Sequence, residues 1–437
     1  MSLDLVRWQG KGKGMAEALG ANRIARQTWI DPVVWWHVYP LGMTGVPIRY
    51  RSADDGTDQH RLRRLITWLD HLVDLGCTGL QLGPIFASTS HGYDTIDHLC
   101  IDPRLGDDDD FDALVDACRA RGIRLILDGV FNHVGADHLW ARAARRGEDS
   151  PIRMVTTPDG RHHPMVFEGS SDLLELDHSR PEVADLVGRV MGYWLDRGID
   201  GWRLDAAYAM PPEFWAWILP GIRQSHPQAW FVGEVIHGDY AQIVRQSGLD
   251  GVTQYELWKA TWSAIRDANF FELAWALDRH RTFCSEFVPM TFVGNHDVMR
   301  IAERVGDLGS LMAHALLLCV SGSASLYYGD EYAFRGVKEN RPGGDDAVRP
   351  EFPATPAELV SPGEWFYNEL AAMVRLRRDR PWLTQGSTEV VEHDNTRMLV
   401  RTSTPDASQQ LWLELDLTSG HRIVMWDAGG ELYRLEA

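Results

Sequence analysis

Four apolar runs in this chain end on an acid: Arg124-Leu-Ile-Leu-Asp128, Gly201-Trp-Arg-Leu-Asp205, Trp230-Phe-Val-Gly-Glu234 and Phe292-Val-Gly-Asn-His-Asp297. A single acid after a strand is ordinarily a helix cap or half of a loop salt bridge. Four in chain order, with His133 and His296 close to two of them, point instead to one site assembled from several strand ends. Crowded carboxylates suit glycosyl transfer. An oxocarbenium-like transition state needs one carboxylate beside the anomeric carbon and a carboxylic acid to protonate the departing oxygen. Crowding raises the pKa of one member and keeps it protonated near neutral pH. Arg203 shares strand parity with Asp205, so both point to one face, where a guanidinium would hold Asp205 ionised. Glu234 has no adjacent Arg in sequence and is the better acid.

Such acids meet only if their strands run side by side. Eight strand-like runs, at 33–39, 78–82, 123–127, 201–204, 229–232, 251–255, 289–293 and 325–328, are each followed by a helical pattern or a long connection. The helix predicted over 59–75 places Leu62, Leu65, Ile66, Leu69, Leu72 and Val73 at core-facing spacing. The fold class expected is α/β, a closed (β/α)8 TIM barrel, since no G-x-G-x-x-G turn follows the first run. The expected division is an N-terminal extension (1–32), a barrel (33–133 and 181–380), an inserted subdomain (134–180) and a small antiparallel β domain (381–437). Within that last part, strands are expected at 388–392, 398–402, 410–417 and 422–426.

The net charge of −19 excludes a phosphate-backbone binder, and 44% hydrophobic residues supply a sizeable core. Five scattered Cys without a C-x-x-C pair argue against a disulfide framework or zinc site and for a reducing compartment. No signal-peptide h-region and no membrane-length apolar stretch is read, so a cytoplasmic protein is expected, with neither nucleic acid nor membrane as partner.

Taken together, the motifs resemble those of the α-amylase superfamily (glycoside hydrolase family 13) over nearly the whole chain. Asp128-Gly-Val-Phe-Asn-His133, Gly201–Asp205, Phe231–Glu234 and Phe292–Asp297 look like its four motifs in order, and His91-Gly-Tyr93-Asp94 like its auxiliary motif. The resemblance implies Asp205 as nucleophile, Glu234 as acid and then base, and Asp297 as the residue binding hydroxyls of the distorted sugar. It further implies His133 and His296 on that sugar, Tyr93 stacked under its ring, Arg203 orienting Asp205, and His91 and Asp94 at the site. Asp346 and Arg349 fall where family members place substrate-contacting loops. Asn132 stands where many members bind a structural Ca2+, but the carboxylate partners usually come from a long insert, and here it is short. No metal and no cofactor is therefore expected. Gly106–Asp110 looks metal-like but reads as an Asp-rich helix start. Trp140, Trp258 and Trp365 are the candidates for sugar platforms among the 18 Trp, most of which belong to the core.

Within the superfamily, Glu234-Val-Ile-His237 and Gly201–Asp205 look most like the cyclomaltodextrinase and neopullulanase group. That group usually carries an N-terminal β domain, whereas the first barrel strand here begins near Val33. The resemblance implies hydrolysis of α-1,4 bonds in short linear or cyclic malto-oligosaccharides, with a homodimer as a further expectation. The alternative is an exo-acting α-glucosidase or transglycosylase, in which Asp94 meets the terminal glucose and Arg349 or Arg300 closes the site. A non-catalytic sugar-binding or partner subunit would have lost acids that this chain keeps.

Overall fold

The computed structural model describes residues 28–48, 60–341, 343–359 and 363–437. Most of the expected N-terminal extension, residues 1–27, lies outside the described residues, as does the expected start of the first helix at Gln59. Eight parallel strands follow in chain order: β1 (Trp35–Val38), β2 (Gly79–Leu82), β3 (Arg124–Gly129), β4 (Gly201–Leu204), β5 (Trp230–Gly233), β6 (Gly251–Val252), β7 (Met290–Phe292) and β8 (Ser323–Tyr327). Their lateral order is β6-β5-β4-β3-β2-β1-β8-β7. A parallel bridge from Thr253 to Met290 closes the ring, so the expected α/β barrel is present.

Side chains alternate along each strand, which divides the barrel interior into levels. The lower level is apolar: Trp35, Ile126, Trp230, Val232 and Met290 form their own buried cluster, with the Trp35 and Trp230 rings stacked 5.7 Å apart. Room for these indoles comes from Gly79 and Gly201. A Cβ at Gly79 would lie 2.4 Å from the Trp35 ring, and one at Gly201 would lie 2.1 Å from the Trp230 carbonyl oxygen. Two residues further along, the same faces turn polar, with His37 on β1, Asp128 on β3 and Arg203 on β4. The barrel is thus plugged with tryptophan at one end and opens on charge at the other.

Helices surround this ring. Leu62–Leu75 buries Leu62, Leu65, Leu69 and Leu72 of the predicted stripe, while Ile66 is half-buried and Val73 is exposed. Asp108–Ala120 begins with a reciprocal cap, Asp107 accepting from the Asp110 N–H and Asp110 from the Asp107 N–H. The run 251–255, expected as strand throughout, stops earlier than that. The Gln254 side chain caps the Leu257 N–H, and a helix begins at Tyr255. This break turns the Tyr255 ring back toward the mouth.

Residues 387–436 form a five-stranded antiparallel sheet, one strand more than expected. The strand Gly430–Glu436 was hidden because Tyr433 is its one buried side chain, among charged residues on an edge. The sheet's apolar face, including Met398, Leu413 and Ile423, joins the core outside the barrel.

Several histidines, His280, His314 and His138 among them, are buried as neutral rings. Nε2–H of His280 donates to the Ser321 carbonyl at 3.0 Å while its Nδ1 faces the Gln254 amide at 3.4 Å. Burial lowers His280, His314 and His138 to about 4. Their folded values lie below the unfolded value of about 6.5, so the unfolded chain binds more protons between about pH 6.5 and 4. Their stabilising contribution is whole above that window and fades as pH falls through it. Thermal unfolding should therefore show a smaller loss of Tm between pH 7 and pH 5 in His280→Gln than in the wild type. An equal loss would mean that His280 is not held neutral.

Candidate active site

The acids at the strand ends meet around one guanidinium. Arg203 reaches from β4 with Nη1 at 2.8 and 2.9 Å from the two Asp128 oxygens and 2.8 Å from Asp205 Oδ1. Its Nη2 lies 2.6 Å from Glu234 Oε1. Strand register makes this unavoidable, since Arg203 sits level with Asp128 on β3 and two residues before Asp205 on its own strand. Glu234 has no arginine beside it in sequence, yet it gains one from the adjacent strand.

Glu234 is tied further by the Ala206 N–H, which donates to Oε2 at 3.0 Å, and the Tyr255 hydroxyl, which donates to Oε1 at 3.0 Å. Asn295 in turn donates to that hydroxyl at 2.9 Å. Burial pushes Asp205 well above the usual carboxylate range, opposed by Arg203 and reinforced by Glu234 and Asp128. Burial also raises Asp128, again against Arg203. Arg203 itself stays charged: burial disfavours the cation, but the surrounding acids outweigh that penalty. At Asp205 and Asp128 burial outweighs the one guanidinium, so these two acids hold a proton more tightly than isolated acids do, and Arg203 does not by itself hold Asp205 ionised as the sequence suggested.

Asp297 stands apart from the trio. Burial acts to raise it, but His296 and Arg349 hold its carboxyl well below the ordinary range. His296 Nε2 is 2.9 Å from Oδ2, and Arg349 Nη2 donates to Oδ1 at 3.0 Å. Arg349 also donates through Nε to the His296 carbonyl at 3.0 Å, with its guanidinium 4.6 Å over the Tyr39 ring. Tyr93 stacks on His296 at 5.2 Å and donates to Asp128 at 3.1 Å.

These groups open into a cleft of about 1080 Å³ lined by Tyr93, Asp205, Glu234, Tyr255 and Asp297, among others. Small-molecule sites run from roughly 300 to 1,000 Å³, so this one has room for an oligosaccharide. His91, His133 and Arg349 also line it, and so does Asp346, although Arg349 pairs with Asp345 at 3.2 Å rather than with Asp346. His133 is a neutral ring, lowered to about 3 by burial, with Nε2 toward the Tyr93 carbonyl at 3.1 Å and its face stacked 4.6 Å from Phe167.

Asp94 does not join the cleft wall. It is buried, with one oxygen accepting from the Ser90 hydroxyl at 2.7 Å. Arg300 lies below the mouth, paired with Asp330. The three candidate platforms Trp140, Trp258 and Trp365 lie elsewhere: the cleft's aromatic lining is Tyr93, Phe167, Tyr208 and Tyr255. Asn132, where the resemblance places a structural Ca2+ in many members, is buried beside His133. Its amide meets His133 Nδ1 at 3.3 Å, and among the described residues the one group of three convergent donors is His60, Asp107 and Asp110. Two of those form the helix cap described above.

Sequence reasoning missed Tyr255, Tyr208, Phe167 and Lys338. Tyr255 directly follows a barrel strand, a position that could have drawn notice. Phe167 and Tyr208 become neighbours only through the insert, where His133–Gly135 pairs with Leu173–Glu175.

A parallel barrel with an arginine-bridged carboxylate mouth is a barrel of the amylase type. A model of the alpha amylase catalytic domain matches residues 47–158 and 161–357, and the chain belongs to the α-amylase family. A cyclomaltodextrinase of Geobacillus thermopakistaniensis (strain MAS1) is 32% identical over 343 residues, 70% of this chain and 57% of that protein. Neopullulanase 2 of Thermoactinomyces vulgaris is 30% identical over 343 residues, 75% of this chain and 57% of that protein. The chain thus spans under two thirds of the length of these curated relatives. Cyclic α-maltosyl-(1→6)-maltose hydrolase from Arthrobacter globiformis shares the fold with a TM-score of 0.75 at 26% identity, over 90% of this chain and 92% of that one. No helix among the described residues is long and apolar enough to cross a membrane.

Replacing Arg203 by Met would leave three buried acids without their cation, a change that typically costs about 3–5 kcal/mol. The folded pKa values of Asp205 and Asp128 would then rise further above their unfolded values. Folding would take up protons, so stability is regained as pH falls. The Tm deficit of Arg203→Met relative to wild type should therefore be smaller at pH 5 than at pH 7, and a deficit independent of pH would contradict this account.

Proposed function

We propose that this chain is a retaining α-glycoside hydrolase acting on α-1,4 bonds of short linear or cyclic malto-oligosaccharides. The observation that carries the reading is the fork of Arg203, which holds Asp205 and Glu234 side by side at the cleft. Asp205 is the nucleophile: Arg203 engages Oδ1, leaving Oδ2 to attack the anomeric carbon. Glu234 is the general acid that protonates the departing oxygen. The product of this step is a β-glycosyl ester on Asp205. Glu234, now a carboxylate, takes a proton from water as the water attacks the same carbon and releases Asp205. Two inversions retain the α configuration.

Asp297, kept anionic by His296 and Arg349, accepts hydrogen bonds from ring hydroxyls of the distorted sugar. Its constant charge suits a group that stabilises a developing oxocarbenium ion without exchanging protons. Tyr93, stacked on His296, forms the face under that sugar. The size of the cleft favours an oligosaccharide over a single terminal glucose. Asp94, buried and bonded to Ser90, is not among the residues lining the cleft, which supports the endo-acting over the exo-acting reading. Relatives named cyclomaltodextrinase and neopullulanase support the choice of substrate class.

The test is a product profile with maltotriose, a cyclic malto-oligosaccharide, soluble starch, isomaltose, sucrose and trehalose. Opening of the ring with maltose accumulating, and slow attack on starch, is expected. Glucose released singly, or activity confined to one disaccharide, would overturn the endo reading. Glu234→Gln should lower turnover by at least 10²-fold, on the order of what acid–base help contributes, and a wild-type rate would remove Glu234 from its role.

A further inference from the structure

We propose that Arg300 is a positioning residue for the sugar-binding side of the cleft, acting through the 343–351 loop on Arg349 and thereby on Asp297. The inference rests on the hydrolase reading above and concerns a residue that touches no substrate.

Arg300 follows Asp297 by three residues and is completely buried. Its guanidinium joins three separate stretches of chain. Nη1 donates to the Tyr328 carbonyl at 2.6 Å and to Asp330 Oδ1 at 2.9 Å, both just beyond β8. Nη2 donates to the Val348 carbonyl at 2.9 Å. Val348 immediately precedes Arg349, the residue that grips Asp297 and the His296 carbonyl. The Tyr327 hydroxyl donates to the same Val348 carbonyl at 3.0 Å, and the Tyr327 ring lies 4.2 Å from the guanidinium carbon. The backbone N–H of Arg300 donates to the Gly336 carbonyl at 3.1 Å.

Close approach on both sides leaves this arrangement little freedom. A Cβ at Gly336 would lie 2.2 Å from the Ala347 carbonyl oxygen, and one at Gly294 would lie 2.5 Å from Asp330 Oδ2. Both glycines therefore let the loop and the Asp330 carboxylate close on Arg300 from opposite directions. Asp330 supplies the countercharge that a buried guanidinium requires. The result is a staple: the end of β7 carrying Asp297, the end of β8, and the loop carrying Arg349 are fixed to one planar group. Lysine carries the charge but cannot reproduce three directional bonds from a fork.

The experiment compares wild type, Arg300→Lys, Asp330→Asn, Arg349→Met and the Arg300→Lys/Arg349→Met double variant. Readouts are kcat and KM on maltotriose, Tm, and calorimetric binding of 1-deoxynojirimycin, an iminosugar that probes the reacting sugar's position without turnover. Arg300→Lys is expected to lower kcat/KM by on the order of 10- to 100-fold, since about 1 Å of misplacement can cost 10²-fold, and to weaken iminosugar binding in parallel. Asp330→Asn keeps the shape while removing the countercharge, and should move both readouts in the same direction. It decides the question if Arg300→Lys fails to fold. In the Arg349→Met background, Arg300→Lys should add little further loss.

A lower Tm with kcat/KM and iminosugar binding unchanged would show a merely structural role and overturn the proposal. Losses that multiply fully in the double variant would overturn it as well, because Arg300 would then act independently of Arg349. A wild type inert toward every glucan and toward the iminosugar would instead sink the hydrolase reading, and this inference with it.

Discussion

Everything at the mouth of this barrel depends on one buried cation. Arg203 contacts carboxylates from three consecutive barrel strands, and among the described residues none of these acids has another charged partner of comparable closeness. Burying ions is costly, and attraction compensates only when geometry is good and the remaining lone pairs are satisfied. Here the planar fork meets those terms: Nη1 serves Asp128 and Asp205, Nη2 serves Glu234, and the Ala206 N–H and Tyr255 hydroxyl take up the other Glu234 positions. The tryptophan plug below keeps water from approaching from the far end. Dry surroundings strengthen each interaction and at the same time raise Asp205 and Asp128 toward their protonated forms. Charge excess and apolar plug are therefore two halves of one device.

The cleft has two unlike walls. On one side Asp297 is fixed as an anion by His296 and Arg349, with Lys338 at 3.2 Å from Asp345 continuing the charge chain outward. Around the insert the contacts are aromatic, from Tyr208 and Phe167. A sugar undergoing distortion gains from fixed charge and directional hydroxyl acceptors, whereas a departing sugar gains from adaptable ring faces. The asymmetry of the walls matches the asymmetry of the proposed reaction.

Much of this was legible in the sequence for a physical reason. Strand parity is strictly period two, so Arg203 with Asp205, and an acid at each strand end, could be placed on one face without coordinates. The eight-fold alternation gave the barrel in the same way. Lateral neighbours were not legible, because register between strands is set by closure rather than by local pattern. Hence the Arg203–Glu234 contact was missed, and Asp345, the acid that Arg349 meets, was not singled out. Tyr255 was assigned to a strand because its residue type favours one. The Gln254 cap decides otherwise, and a cap is a hydrogen-bonding choice that hydrophobic periodicity does not record. Asp94 sat in a recognisable motif, yet burial under the wall is a matter of packing.

The insert shows how a short segment can still shape the site. Its tip holds Glu168 at φ 49°, ψ 30°, a left-handed conformation that costs a non-glycine residue about 1 kcal/mol or more. Two contacts over-determine it: Phe167 lies on the His133 ring, and the Tyr208 hydroxyl donates to Glu168 at 2.6 Å. Tyr208 is itself tied to the catalytic strand, its N–H donating to the Glu234 carbonyl at 3.1 Å. A strained carboxylate at the rim is therefore coupled through one residue to the backbone of the proposed acid. With the insert docked at both the His133 and the Tyr208 side, the aromatic wall is set by the barrel as much as by the insert. That explains how about 45 residues of irregular chain can present a defined surface to a departing sugar.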